Sequence, residues 1–429
     1  MFLREIIIKG LFGYDDHHIK LCDGTVTILH GANGEGKTTV LRLVSAVLNG
    51  DIRVIAETYF SSIKLIFDEK FYIKVEKEKA YLSPKEMSRF MHFPPINYYT
   101  SAGDKFSFTS IPDAAVTFTD EEEKDELNLY RKLVHDFYFQ ENASIKEERQ
   151  NFAFNSYLSE LKNTLCAKMI DTNRLFVQVA GSRYKTEAIE FYSDDLSKRI
   201  KNSRNKKELL SDEKDKTLPF RILKLSENNS KEVTKHSILQ KLKEFYEMSK
   251  KLEKVGLTVG GDFDRIDEKM LTEKNIDQNL LEFLNLILDD DIQKFECFSP
   301  LLLKIELFLK IINKLLSPSE KFMSVSEDGI KFYSTRIPKT EIEPRQIPLS
   351  SISSGEKQLF VLFYSLIFMN DGKQNLVLID EPELSMHISW QEEFINDLLE
   401  ICEQNSIQAV VSTHSPNIVN GHFDLLVGL

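Results

Sequence analysis

The chain has 429 residues, 42% of them hydrophobic and 28% charged, with a formal net charge of −12. That length supports a large core and more than one domain, and the acidic balance speaks against broad, non-specific adhesion to nucleic acid. Cys22, Cys166, Cys297 and Cys402 form no C-x-x-C pair, which argues against a disulfide framework and against a zinc clasp.

Met1–His18 carries a short apolar run followed quickly by charges, so it reads as neither a signal peptide nor an anchor. The richest apolar run, Gln358–Met369, is shorter than the ~18 residues a membrane span needs. The expectation is a cytoplasmic protein with no membrane contact. Glu5–Lys9, Thr25–His30, Thr58–Ile66 and Phe71–Glu76 are β-branched and aromatic runs that predict strands. Asp23-Gly24 predicts a turn, and Lys37–Leu48 changes to helical spacing. Pro84–Asp104 is rich in aromatic residues and proline and has no clear period. Glu121–Leu165 reads as an acidic helical stretch, and Ala167–Val179 as a strand containing a turn.

Between about residues 185 and 317 charged side chains dominate. Helical spacing covers Ala188–Leu210, Lys231–Val255 and Ile292–Leu316, with an acidic stretch over Asp262–Asp290. No heptad pattern lasts long enough for an extended coiled coil. Lys321–Ser334 reads as a β-hairpin around Glu327-Asp328-Gly329, and the rest alternates helix and strand. The expected organisation is an α/β head in two parts, 1–183 and 318–429, around a helical, short coiled-coil-like insert over 184–317.

Four motifs carry chemistry. Gly31-Ala32-Asn33-Gly34-Glu35-Gly36-Lys37-Thr38 fits G-x-x-x-x-G-K-[ST] between a strand and a helix, the arrangement of a phosphate-binding loop. Its glycines let backbone N–H groups turn inward around phosphates, and the helix start adds a field that favours negative charge. Asn33, Gly34, Gly36, Lys37, Thr38 and Thr39 are the candidate nucleotide ligands. Lys37 is expected to reach the β- and γ-phosphates, and Thr38 to ligate Mg²⁺. Leu376–Glu381 reads as a buried parallel strand ending in two carboxylates. There Asp380 is expected to hold Mg²⁺ and Glu381 to act as general base toward water. Alone, such a strand end is more simply a pair of solvated acids; the phosphate loop reverses that weighting.

Ser353-Ser354-Gly355-Glu356-Lys357-Gln358 precedes an apolar helix. It is either a simple helix cap or an anion site built from hydroxyls, open N–H groups and the helix dipole. Val410-Val411-Ser412-Thr413-His414-Ser415-Pro416 is a strand ending in a histidine, and His414 is placed to contact a γ-phosphate or the attacking water.

The order of these motifs resembles the ABC ATPases, and in detail their soluble, SMC-like and OLD-like branch. Ile352–Lys357 is similar to that branch's L-S-G-G-E-K signature, with Ser354 at the first Gly. Asp380–His387 resembles its D-E-P-E-x-x-L-H segment, with Met386 at the Leu place, and Ser412–Pro416 matches its S-T-H-S-P switch. The resemblance implies an ABC-type head that binds ATP and Mg²⁺ and sandwiches the nucleotide between two copies. Ser353 and Gly355, with Ser354 between them, would then act in trans, which implies a homodimer or larger homo-oligomer. The family also carries a Gln near the γ-phosphate in an I-x-x-Q-R-L stretch; Ile170–Leu175 fits, with Asn173 in the Gln place.

A narrower likeness lies in Leu11–Tyr14, Leu218–Leu223, Glu381–Gln391 and Gly421–Leu425. These resemble the ATPase subunits of bacterial anti-phage systems of the Septu, retron-associated and PARIS types. That implies a slow ATPase used as a switch, a separate nuclease subunit of HNH or Toprim type, and a nucleic-acid or phage-encoded trigger. Only fifteen residues follow His414 (429 − 414), so no fused C-terminal Toprim nuclease is expected. The alternative is an SMC-like DNA repair or recombination ATPase acting directly on DNA. A transporter subunit is opposed by the large insert, and a non-hydrolysing scaffold by Glu381 and His414.

The basic run Lys198–Lys207 is more simply a solvated helix face than a nucleic-acid contact. His17-His18 beside Asp15-Asp16 lacks a second ligand cluster, and Trp390 and Phe394 are expected to pack a helix.

Overall fold

The computed structural model describes residues 1–32, 34–68, 71–77, 92–110, 141–172, 174–178, 185–225, 233–257, 276–336, 344–368, 374–384 and 386–429. The chain forms two compact units. The first is built mainly from Met1–Arg174 and Phe368–Leu429, the second from Lys185–Ile367.

The chain begins with strands β1 (Leu3–Leu11), β2 (Asp15–Lys20) and β3 (Val26–His30), then helices α1 (Lys37–Asn49) and α2 (Ile52–Glu57). Strands β4 (Ser62–Phe67), β5 (Tyr72–Lys77), β6 (His92–Thr100) and β7 (Lys105–Ser110) follow, then α3 (Glu141–Thr164) and β8 (Leu165–Ile170). After the short β9 (Phe176–Gln178) and β10 (Lys185–Glu187) come helices α4 (Ala188–Leu225), α5 (Lys235–Lys254), α6 (Gln278–Glu296) and α7 (Ser299–Leu316). Strands β11 (Lys321–Ser326), β12 (Gly329–Ser334) and β13 (Arg345–Ile347) lead to α8 (Ser354–Phe368). The last stretch is β14 (Gln374–Asp380), α9 (Ile388–Asn405), β15 (Ile407–Ser412), α10 (Pro416–Val419) and β16 (Leu426–Gly428).

The first unit holds two sheets. One is antiparallel, in the order β2-β1-β4-β5-β6-β7; the other runs β16-β3-β15-β14-β8 with every pairing parallel. Strand β4 buries alternate residues, as a sheet with one face on a core must. Strand β15 is buried at every position, which explains its nearly unbroken apolar run. Helix α1 is apolar around much of its circumference because it shares one core with both sheets. Val40, Leu41, Val44 and Val47 pack with Ile6, Ile8, Ile63 and Leu65 of the antiparallel sheet and with Leu376, Leu378 and Val410 of the parallel one. Gln408 joins the sheets directly: its side chain accepts from Leu3 N–H and donates to Leu3 C=O, both at 2.8 Å and both buried.

Several local readings shift. Strand β2 has no apolar alternation, because Asp-Asp-His-His-Ile-Lys sits at a sheet edge and buries only Ile19. The strand expected from Thr58 starts at Ser62. Thr58 instead ends α2, a helix whose start is capped by the Asp51 carboxylate on Val54 N–H. The aromatic and proline-rich stretch provides β6; its part before residue 92 lies outside the described residues, as do 121–140 of the expected acidic helix and 262–275 of the acidic stretch.

In the second unit α4 runs on beyond Leu210, through Pro219, to Leu225. The single helix expected over Ile292–Leu316 is two, broken at Cys297-Phe298, with Pro300 in the first turn of α7. The hairpin is as expected, with Ser326 opposite Gly329. The unit continues from the expected limit at 317 to Ile367. Its physical reason is packing: the Phe308 ring of α7 meets Phe360 and Tyr364 of α8 edge to face, and Tyr364 stacks on Tyr192 of α4.

Gln408→Ala strips both partners from Leu3. With one buried donor and one buried acceptor left open, at roughly 1–3 kcal/mol each, stability should fall by about 2–6 kcal/mol. Urea unfolding of the wild type and the variant measures this directly.

Candidate nucleotide site

The site is built where parallel strands end. In the register of the sheet, Ser412 of β15 lies opposite both Leu29 of β3 and Asp380 of β14. The loop after β3, the carboxylates after β14 and the histidine after β15 therefore leave one edge together, the edge where α/β sheets gather ligands.

The phosphate loop turns from β3 into α1 through Gly34 and Gly36, whose φ angles are +91° and +94°. A side chain at Gly36 would face left-handed strain and would place its Cβ 2.8 Å from the Phe12 ring. Lys37 is the first residue of α1 and is buried. Its ammonium donates to Gly31 O at 2.8 Å and Ala32 O at 3.0 Å and lies 3.4 Å from His414 Nδ1. Burial holds that ammonium below the usual lysine range, against the opposing charges of Glu35, Glu381, Asp380 and Glu383. One loop amide is already engaged: Ala32 N–H donates to the Glu35 carboxylate at 2.6 Å.

Thr38 Oγ1 donates to Asp380 Oδ1 at 2.9 Å, and Ser412 Oγ donates to the same oxygen at 2.6 Å. Thr38 and Asp380 are hard oxygen donors in contact, the chemistry Mg²⁺ selects, and Mg²⁺ takes its remaining ligands from phosphate and water. The donor set and the open space over Gly34, where an added Cβ meets nothing within 4 Å, fit a magnesium-bound polyphosphate. Thr39 follows on α1, half-buried. Glu381 adopts φ +42°, unusual for a residue with a side chain, while its N–H donates to Ser412 O at 3.0 Å. Its carboxylate is 3.9 Å from His414 Nε2. Asn33 and Asn173 lie outside the described residues.

Side chains not singled out from the sequence tie this edge together. Glu383 accepts from Thr413 Oγ1 at 2.7 Å and from His414 N–H at 2.9 Å. Ser415 Oγ donates to Gln391 Oε1, and Gln391 Nε2 to Met386 O. Ser412, Glu383, Ser415 and Gln391 all stand inside or just beyond the quoted motifs, so a signal existed. What was hidden is that they bond to one another.

Ser353, Ser354 and Gly355 lie in the second unit, at the start of α8. Ser353 and Glu356 form a capping box: Glu356 N–H donates to Ser353 Oγ at 3.3 Å and Ser353 N–H to Glu356 Oε2 at 3.1 Å. The Ser353 hydroxyl also donates to Glu356, which Lys321 of β11 clamps with both carboxylate oxygens 3.0 Å away. Lys357 pairs with Glu187. Half of the basic run is engaged within its own unit: Arg199 with Asp195, Arg204 with Glu327, and Lys207 over the Phe295 ring. His18 pairs with Glu5 across strands, Phe394 is buried, and Trp390 lies beside His387.

Burial opposes ionisation of Glu356, but the Ser353 hydrogen bonds and the Lys321 ammonium outweigh it and hold the carboxyl below the usual glutamate range. A depressed folded-state pKa stabilises above the unfolded value and is lost as pH falls through the folded one. Lys321→Met should therefore cost about 3 kcal/mol at neutral pH by leaving a buried charge unpaired. It should also flatten the loss of stability that the wild type shows as pH drops below the ordinary value of 4.5. Thermal melts across pH 3–7 read both effects.

Among the described residues no helix is long and apolar enough to cross a membrane. No curated protein sequence matches the chain. Two solved structures are similar over its full length. One is the Smc head domain of Pyrococcus furiosus with an extended coiled coil, bound to the C-terminal domain of ScpA, at 12% identity, 93% of that chain and a TM-score of 0.38. The other is the Smc head domain of Pyrococcus yayanosii with a coiled coil and joint, at 14% identity, 94% of that chain and a TM-score of 0.36. A family model described as an AAA ATPase domain matches residues 1–419. With the phosphate loop, the paired carboxylates and the strand-end histidine on one edge of a parallel sheet, the chain belongs to that ATPase domain family.

Proposed function

We propose that the chain binds ATP with Mg²⁺ and hydrolyses it slowly, as the sensor-regulator subunit of an anti-phage complex that controls a separate nuclease. One observation carries the chemistry: Asp380 Oδ1 receives both Thr38 and Ser412, which locks the phosphate loop to the carboxylate strand. Lys37 and the loop amides bind phosphate oxygens. Thr38 and Asp380 would hold Mg²⁺, which would supply charge neutralisation to the phosphates. Glu381 takes the proton of the attacking water, and His414, held by Lys37 on one nitrogen and facing Glu381 with the other, fixes that carboxylate and the γ-phosphate side of the water.

Ser353, Ser354 and Gly355 of one copy complete the nucleotide site of another, so the working form is a homodimer or larger. Support for this comes from the signature's place on a helix start, where hydroxyls and the helix field suit an anion. The defence role is supported by the motif likeness at both ends of the chain, with its implied HNH or Toprim nuclease partner and nucleic-acid or phage-encoded trigger.

Glu381→Gln should lower ATP turnover on the order of 100-fold or more, in line with loss of a general base, while ATP-bound assemblies accumulate on native mass measurement. Turnover equal to wild type would defeat the assignment of the base. Tagged protein expressed with its neighbouring genes should recover a stoichiometric nuclease subunit. Recovery of DNA with no protein partner would replace the defence reading by an SMC-like repair ATPase.

A further inference from the structure

Arg174 stands at the exit from β8, the strand beside β14, at the point where the chain passes into the second unit at Leu175. Its side chain is only 7% exposed. Nη2 donates to Pro382 O at 3.3 Å, while Nε and Nη1 are buried and have no hydrogen-bond partner among the described residues. Glu383 is its counterpart. One carboxylate oxygen holds Thr413 and His414, and the other, Oε2, is buried and equally without a partner there. Burial pushes Arg174 down to about 10 with the Glu383 charge opposing, so the guanidinium stays cationic at neutral pH.

A buried cation with open donors, within electrostatic reach of a half-buried carboxylate whose open oxygen is itself buried, is costly unless the two serve one another. Pro382 and Glu383 directly follow Glu381, whose left-handed backbone persists only where its surroundings hold it. Arginine suits such a position because one planar fork can serve a carbonyl and a carboxylate together.

We propose that Arg174 is a positioning residue for hydrolysis: by gripping the Pro382 carbonyl and neutralising Glu383, it sets Glu381 and His414 for attack by water. It acts through the turn and not on the nucleotide, so it governs kcat and leaves nucleotide affinity alone. The inference rests on the ATPase reading above.

The test uses the full chain and its Arg174→Met, Arg174→Lys, Glu383→Gln and Arg174→Met/Glu383→Gln variants. Affinity for a fluorescent ATP analogue, kcat, KM and the melting temperature are measured for each. Arg174→Met should lose on the order of 10- to 100-fold in kcat, the scale expected from a misplaced reacting group, with KM and analogue affinity within about threefold of wild type. Glu383→Gln, which keeps shape and acceptor oxygen, should reproduce that loss, and the double variant should add nothing to it. Arg174→Lys should recover part of kcat through its charge. If Arg174→Met melts out, Arg174→Lys and Glu383→Gln carry the decision on the same kcat criterion. An active wild type with equally active variants overturns the inference alone, as does a loss shared by kcat and affinity. A wild type that binds the analogue but shows no turnover overturns the ATPase reading and the inference with it.

Discussion

The parallel pairing of β3, β15 and β14 is the constraint on which the site depends. Ser412 stands level with Leu29 on one side and Asp380 on the other. That register brings Thr38 and Ser412 onto one carboxylate oxygen. Slipping β15 by a single residue would turn Ser412 away from Asp380, since side chains alternate between faces. The strand resists slipping because it is buried along its whole length. Gln408 adds a second restraint, fixing β15 to β1 of the neighbouring sheet through two backbone groups.

Electrostatics complete what the register begins. Four carboxylates, Glu35, Asp380, Glu381 and Glu383, act on the Lys37 ammonium. Acid outnumbers base around that lysine, and a field of this sign suits a divalent cation. Glu383, the last of the four causes on Lys37, also accepts from the Thr413 hydroxyl and the His414 amide. The four acids thus face different partners: Glu35 the Ala32 amide, Asp380 the Thr38 and Ser412 hydroxyls, Glu381 the His414 ring, and Glu383 the histidine loop.

Much of this was legible in the sequence because it depends on local chemistry. The phosphate loop, the α1 helix and the β11–β12 hairpin follow from glycine placement, apolar spacing and a short turn. The unbroken apolar run before Asp380-Glu381 marked β14 as a buried parallel strand. Other features depend on partners far along the chain and left no local mark. β2 is polar because it is an edge strand paired to β1. The second unit extends to α8 because Phe308 packs on Phe360 and Tyr364, aromatic contacts that no spacing rule encodes. Lys321 is an ordinary strand lysine until the fold sets it against Glu356, and Arg174 reads as one more charge beside Asn173 until burial isolates it.

The Glu35 carboxylate on Ala32 N–H has a consequence of its own. A loop amide that already holds an acid three residues away makes the arrival of any phosphate oxygen an exchange of one anion for another. The tethered acid is present at a high effective concentration set by its short link, so the gain on binding at that amide is a difference between two similar contacts. Release is eased by the same contact, because the amide need never stand bare as the ligand departs. In a nucleotide-binding loop such a contact would favour reversible holding over tight capture.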